Sequence, residues 1–407
     1  MIRQTVPKKH EVLCIVVPDL FHATQTFFHE HIAKIAPGQT VIVHLSSTGA
    51  PAQTSVPVLE VTAPSQWTEK GGRLLSRLIR SVNAWRTYRL SSQQAEAIES
   101  YLLREGITHV FAEFATTGFM IAPVTARLGL PLTVMSHGWD INVMGRGRLW
   151  RGRFKSFFNS KTKFVAVCEF LKDRMTDIGA PENKVAVVPC VIEASLFNPV
   201  LHRRGPTRVV MLSRLTAQKG PLHSLRAFAE ASKHNPDLVL DIIGDGPLMG
   251  AVRWESERLN LLDRVCLHGA LPHDHALAIL ARSNIFLQHC VTLPFQGIES
   301  QAVSLLEAMG HGLVPIVTRH GGMTEHVANE VRGFVVNEGD EANMAARILH
   351  LADRPEERNR MGKNARLYVL ENFAGEKIYP RLRTLIGLAE TLPGNYQPSS
   401  LQNYPAK

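Results

Sequence analysis

Short apolar runs recur along the chain, each followed by a helical pattern, and this alternation constrains the fold more than any other feature. In the first half the runs are Val12–Val17, Val41–Leu45, His109–Phe111, Leu132–Met135 and Phe164–Val167. The polar segment His202-Arg203-Arg204-Gly205-Pro206 reads as a linker. The pattern then restarts with Val209–Leu212, Val239–Ile243, Val265–Leu267, Ile285–Gln288, Val314–Val317 and Gly333–Val336. Strand–helix alternation predicts α/β units around parallel sheets, here two in tandem. The expected domains are residues 1–195 and 196–372. Residues 373–407 are expected to return a helix to the first domain and to end in a frayed tail. A chain of 407 residues suits two such cores. In sheets of this kind ligands bind beyond the carboxyl ends of the strands, so two facing domains would enclose a deep interdomain cleft with one substrate from each side.

Several other classes fit poorly. No apolar run reaches the roughly 18 residues of a membrane span; the longest candidate, Phe114 to Met135, is interrupted by Arg127. Lys8 and Lys9 before Val12–Val17 imitate a signal peptide, but Pro18-Asp19 ends the run early, and a first β-strand is the better reading. The five cysteines are scattered and form no CxxC pair, which argues for a reducing cytosol over a disulfide or zinc framework. The net charge of +9 and pI of 9.4 suggest an anionic partner. No aromatic-interleaved basic platform or helix-turn-helix signal accompanies them, so nucleic acid is not expected.

The charge is concentrated early. Residues 1–195 hold 22 Lys/Arg against 15 Asp/Glu, and the remainder holds 23 against 21. From Lys70 to Arg89 there are six basic residues and no acid. Arg73, Arg77 and Arg80 share one helical face, opposite Leu74, Leu75, Leu78, Ile79 and Val82. Such a helix either lies on an anionic membrane or forms a solvated face of its own domain. A second basic cluster runs through Arg146, Arg148, Arg151, Arg153 and Lys155.

The chemistry-bearing residues lie mostly in the second half. Arg214 and Lys219 follow the strand Arg208–Leu212 and precede a helix expected to begin near Pro221. Two cations at a strand-to-helix turn, beside a helix N-terminus, make an anion site that a diphosphate would suit. Solvated surface cations are the plain alternative. Gly244-Asp245-Gly246-Pro247 is a glycine turn without the full dinucleotide fingerprint. Ser300 is expected to cap a helix running to about His311. Ala302, Val303, Leu305, Leu306, Ala308 and Met309 make that helix apolar on all sides, hence buried. Glu307 within it needs a partner: a ligand diol, or a distant core Arg or Lys. Glu299 lies eight residues earlier, about 12 Å along the axis, in reach of a second set of hydroxyls.

Together Arg214 and Lys219, the Ile242-Ile243-Gly244-Asp245-Gly246-Pro247 turn, Glu299 and Glu307, Gly312-Leu313-Val314-Pro315, and Gly321-Gly322-Met323-Thr324-Glu325 resemble glycosyltransferase family 4 over Arg208 to Phe373. In the first half the resemblance is looser. It rests on Phe164–Leu171, Lys184–Pro189, and His137-Gly138-Trp139-Asp140, which is similar to the HGxD of enzymes building bacterial exopolysaccharides and lipid-linked glycans.

The resemblance implies the GT-B fold, two Rossmann-like parallel-sheet domains facing a deep cleft, and a reaction that retains anomeric configuration. The donor would be a nucleotide-diphosphate sugar, UDP- or GDP-linked, and the acceptor a glycan or lipid-linked oligosaccharide. Arg214 and Lys219 would hold the diphosphate, Glu307 the ribose, and Glu299 the transferred sugar. Gly244, Ser300, Gln301, Ala302 and the backbone around Leu271 would complete the donor site. His137 would touch the donor sugar or transition state, and Asp140, Thr24 and Thr26 would serve the acceptor side. Fixed cations at a departing diphosphate do the work a metal would otherwise do. With no Asp-x-Asp in the chain, neither metal nor other cofactor is expected. A cytoplasmic protein, peripheral on the inner leaflet through Lys70–Arg89, follows as an expectation.

Departures from the family pattern also show. Ser300-Gln301-Ala302 stands where glycines are usual, which suggests a differently shaped sugar pocket. Rival readings are a GT-B epimerase, which would need no basic first domain, and an inactive donor-binding subunit. A metal pair from His273-Asp274-His275 and His289-Cys290 forms no complete ligand set.

Overall fold

The computed structural model describes residues 11–18, 27–45, 56–62, 88–193, 195, 197, 205–294 and 296–389. Thr24, Thr26, the basic segment from Lys70 to residue 87 and the tail beyond residue 389 lie outside the described residues. The described residues fall into two compact units, one within 11–167, 171–188 and 379–389 and the other within 168–170 and 189–378.

The first unit is built on a parallel sheet of β1 (Leu13–Val17), β2 (Thr40–His44), β3 (Val58–Glu60), β4 (His109–Glu113), β5 (Leu132–Ser136), β6 (Lys163–Ala166) and β7 (Val185–Val187). Their spatial order is β3-β2-β1-β4-β5-β6-β7. β1 and β5 are buried at all five positions, as expected of strands covered on both faces. Strand order reverses between β1 and β4, which pair in parallel. A ligand crevice forms outside the carboxyl ends at such a reversal. β3 was not legible as a strand because Val58-Leu59-Glu60 is short, partly exposed and at the sheet edge. The later part of the helix Gly375–Ile386 belongs to this unit, where Arg383 donates to the carbonyl of Ile35 and Lys163 Nζ to that of Leu385 at 2.9 Å.

The second unit repeats the plan with β8 (Arg208–Leu212), β9 (Val239–Ile243), β10 (Val265–Gly269), β11 (Ile285–Gln288), β12 (Val314–Thr318) and β13 (Phe334–Val336), ordered β10-β9-β8-β11-β12-β13. Side chains alternate across this sheet. Val209 and Met211 join a core with Phe228, Ile316 and Ile348. Val210 joins the opposite one with Phe286, Leu306 and Met309. Strand order reverses between β8 and β11, again a parallel pair. Pro221 opens the helix Pro221–His234, as its fixed φ and missing amide hydrogen favour.

Candidate functional site

In the second unit the polar residues gather at the carboxyl ends of β8, β11 and β12. After β8 the chain passes Ser213 and Arg214, makes a short turn at Ala217–Lys219, and enters the helix Pro221–His234 through Gly220. Gly220 has φ +56°, and a Cβ there would sit 1.9 Å from the carbonyl oxygen of His289. Only glycine lets the turn press against the end of β11. Gly244 is under the same constraint, with φ +128° and a virtual Cβ 1.9 Å from the Ser213 carbonyl oxygen. The two turns therefore meet backbone to backbone. Gly244 serves that approach.

This path delivers Lys219 to Glu299. The Lys219 ammonium donates to Glu299 Oε2, with side chains only 13% and 18% exposed. Burial pulls Lys219 down, but the Glu299 carboxylate outweighs it and leaves the ammonium above its ordinary value. Burial likewise pushes Glu299 up, and Lys219 brings it below the usual carboxylate range. Both groups are therefore charged. Arg214 is exposed and, among the described residues, has no side-chain partner. It is close enough for its charge to oppose that of Lys219.

Glu299 is fixed by its neighbours on every side. Its Oε1 accepts the amide of Ala302 at 3.2 Å, and its own amide donates to His320 Nε2 at 3.1 Å. An imidazole nitrogen that accepts leaves the hydrogen on the other, so His320 Nδ1 donates to Glu338 Oε1, 2.7 Å away. Glu338 is anchored in turn by the amide and hydroxyl of Thr292, at 2.7 and 2.9 Å. His320, Glu338 and Thr292 were not anticipated from sequence. No local pattern marks them, because their meeting depends on how three loops converge.

The helix after Glu299 begins later than expected. It spans Val303–Gly310, with Ala302 at the cap position in the left-handed region, φ +51°. Ser300 does not cap it; it is a buried loop residue, 3% exposed. Glu299 is consequently off the helix, and an axial spacing does not describe its separation from Glu307. Gln301 faces the start of the second unit: its Oε1 accepts the amide of Cys190 at 2.7 Å and its Nε2 donates to the Cys190 carbonyl at 3.2 Å. Its side chain thus anchors the loop.

Glu307 sits on the Val303–Gly310 helix and is 13% exposed. Its partner is neither Arg nor Lys but His273, whose Nε2 lies 2.7 Å from Oε1. His273 begins the helix His273–Arg282 and is itself 45% exposed, so the pair is open on the histidine side. Leu271 precedes that helix and packs on the core containing Leu306 and Met309.

In the first unit a fully buried carboxylate, Glu113, ends β4 between two imidazoles. His31 Nδ1 lies 2.5 Å from Oε1 and His137 Nε2 lies 2.7 Å from Oε2. Burial pushes Glu113 up, but the two histidines more than offset this and hold it at about 2. His137 follows β5 and packs edge-on against Phe114, ring centres 5.0 Å apart. Phe114 has φ +71°, a rare conformation for a non-glycine residue at the mouth of the helix Ala115–Arg127. Asp140 holds that geometry: Oδ2 accepts the Ala115 amide at 2.6 Å and Oδ1 the Gly138 amide at 3.1 Å. Asp140 is fully buried, and burial raises its pKa. Its position makes it a clamp on the loop that carries His137.

The comparisons with known proteins agree with this architecture. Residues 194–368 match Glycosyl transferases group 1, and residues 35–196 match Glycosyltransferase Family 4. Among similar proteins is WcaL of Escherichia coli, a glycosyltransferase named for colanic acid biosynthesis. It is 26% identical over 323 residues, which cover 76% of this chain and 80% of that one. AmsK of Erwinia amylovora, an amylovoran biosynthesis glycosyltransferase, is 27% identical over 228 residues, 55% of each chain. Among solved structures, Anabaena Alr3699/HepE in complex with UDP superposes with a TM-score of 0.72 at 15% identity, covering 92% of this chain and 99% of that one. With both halves matched by glycosyltransferase families and both sheets of the GT-B type, the chain belongs to glycosyltransferase family 4.

Proposed function

We propose that the protein is a retaining glycosyltransferase that moves a sugar from a UDP- or GDP-sugar to a glycan or lipid-linked oligosaccharide in bacterial polysaccharide biosynthesis. The observation that carries this reading is the largely buried Lys219–Glu299 pair beside Arg214, which has no side-chain partner among the described residues. A buried ion pair keeps both groups charged, since removing either leaves the other unsolvated. A donor diphosphate would take Lys219 and Arg214, and would free Glu299 to accept from sugar hydroxyls. In the transfer, the bond from the anomeric carbon to the diphosphate oxygen breaks and a bond to the acceptor oxygen forms on the same face. The acceptor proton passes to the departing diphosphate. Lys219 and Arg214 stabilise the charge that grows on it, which is the work expected of preorganised cations, with no metal required. Glu307 and His273 offer the polar pair for the ribose. On the first unit we assign acceptor recognition to the His137 loop. The relatives named for colanic acid and amylovoran biosynthesis support the polysaccharide reading, and the HepE structures with UDP and UDP-glucose support the donor class.

The test is a thermal-shift screen against UDP, GDP, ADP, dTDP and their sugars, with Arg214→Ala and Glu307→Ala alongside. A ligand at 100 times its Kd adds about 2.7 kcal/mol. One nucleotide should shift the wild type and neither variant; no shift with any nucleotide in a folded sample would leave the donor reading without support. We also propose a peripheral attachment to anionic membrane. Arg146, Arg148, Arg151 and Lys155 are exposed on and beside the helix Arg148–Phe158, whose Trp150, Phe154, Phe157 and Phe158 are buried. Among the described residues no helix is long and apolar enough to cross a membrane. Equal sedimentation with neutral and anionic vesicles would sink the idea.

A further inference from the structure

The sheet edge of the second unit carries three side chains that donor binding leaves unused. Cys266 and His268 are two residues apart on β10, the outermost strand, and Cys266 lies in register with Asp241 on β9. His268 Nε2 is 2.7 Å from Asp241 Oδ1, and His268 Nδ1 is 3.8 Å from Cys266 Sγ. Asp241 is 4% exposed and flanked by two guanidinium groups, Arg208 and Arg282, each 3.6 Å from one of its oxygens. A carboxylate can only accept. The ring hydrogen therefore sits on Nε2, and Nδ1 turns its lone pair to the thiol. Thiol, imidazole and carboxylate stand in the order that activates a nucleophile, with the base oriented by a third group. Cys266 is exposed, whereas Cys14, Cys168, Cys190 and Cys290 are buried.

We propose that Cys266 is an activated thiol and a site of reversible modification by low-molecular-weight disulfides. The Cys266 proton passes to His268 Nδ1, and the thiolate attacks one sulfur of the disulfide. The reagent's S–S bond breaks, a mixed disulfide forms at Cys266, and the departing thiolate takes the proton from His268. The exchange is redox-neutral overall and needs no further reactant. These groups could also ligate a metal ion, but two arginines beside the carboxylate oppose a cation there.

The full chain at pH 7 would be mixed with 5,5′-dithiobis(2-nitrobenzoate), and separately with oxidised glutathione followed by intact mass. One fast equivalent of thiolate should be released, absent in Cys266→Ser. It should outrun an unstructured cysteine peptide by roughly tenfold, and His268→Gln and Asp241→Asn should each slow it by a similar factor. The proposal is overturned if the wild-type thiol reacts no faster than the peptide, a comparison that requires no variant to fold. It is equally overturned if folded His268→Gln reacts at the wild-type rate, or if equimolar Zn²⁺ fully protects the thiol, which would make the three groups a metal site.

Discussion

His320 holds Glu299 by its backbone: the Glu299 amide donates to the imidazole Nε2 at 3.1 Å, while Nδ1 donates to Glu338 at 2.7 Å. His320 positions the loop from which Glu299 reaches Lys219. Glu338→Gln should therefore weaken donor binding by about 1–3 kcal/mol, the cost of disturbing a half-buried charge-assisted hydrogen bond. The check is kinetic. A positioning role predicts a lower kcat/KM for the sugar donor with little change in affinity for the free nucleotide, and a purely structural role would lower both together.

Lys219→Met should do two separable things. In the free protein it strands Glu299 as a buried, unpaired carboxylate, at a cost of about 3–5 kcal/mol. In turnover, on the function proposed above, it removes a cation from the departing diphosphate, which should lower kcat about 10²- to 10³-fold. Adding Glu299→Gln should restore much of the stability and none of the activity. A double variant no more stable than Lys219→Met would show that the two side chains are not coupled in solution.

Much of this was legible in the sequence, and what was not has physical causes. Strands such as Val239–Ile243 and Ile285–Gln288 were read with the bounds the structure shows, because buried parallel strands are continuous apolar runs. Lys219 and Glu299 were named individually, though not as each other's partner. The start of the helix at Val303 was misread because Ala302 enters the left-handed region, which sequence assigns to glycine or asparagine. Glu113 was overlooked although a signal exists. A glutamate closing the run His109-Val110-Phe111-Ala112 cannot stay buried without partners, the same argument that singled out Glu307. Its histidines, 82 and 24 residues away, could not be chosen from sequence.

Gly220→Ala and Gly244→Ala should each be severely destabilising despite adding one methyl group. Each places a Cβ 1.9 Å from a carbonyl oxygen and demands a positive φ that alanine disfavours. Backbone strain alone accounts for about 1–3 kcal/mol, with the clash in addition. Gly250→Ala is the control: nothing lies within 4 Å of its virtual Cβ, and it sits in the helix Met249–Arg258. It should melt at or slightly above the wild-type temperature. Comparable losses in all three would mean that the close approaches do not set the cost.

Stability should fall as pH drops from 6.5 toward 4.5, and His289 and His326 should be the cause. Burial, assisted by His223, pushes His289 down to about 4. Burial, assisted by Arg332, does the same to His326. Both are neutral in the fold and would protonate near 6.5 when unfolded, so the unfolded state binds more protons throughout that window. Stability is then full above 6.5 and is lost progressively as the pH approaches 4, by up to about 3 kcal/mol for each histidine. Depressed carboxylates such as Glu113 contribute only below 4.5, so the upper window isolates the histidines. His326→Asn keeps a polar group near the Tyr368 hydroxyl, which lies 3.4 Å from Nδ1, and removes one titration. Melting temperatures at pH 4.5, 5.5, 6.5 and 7.5 should show a shallower slope for this variant, even if its stability at neutral pH is lower. An unchanged slope would assign the acid sensitivity to other groups.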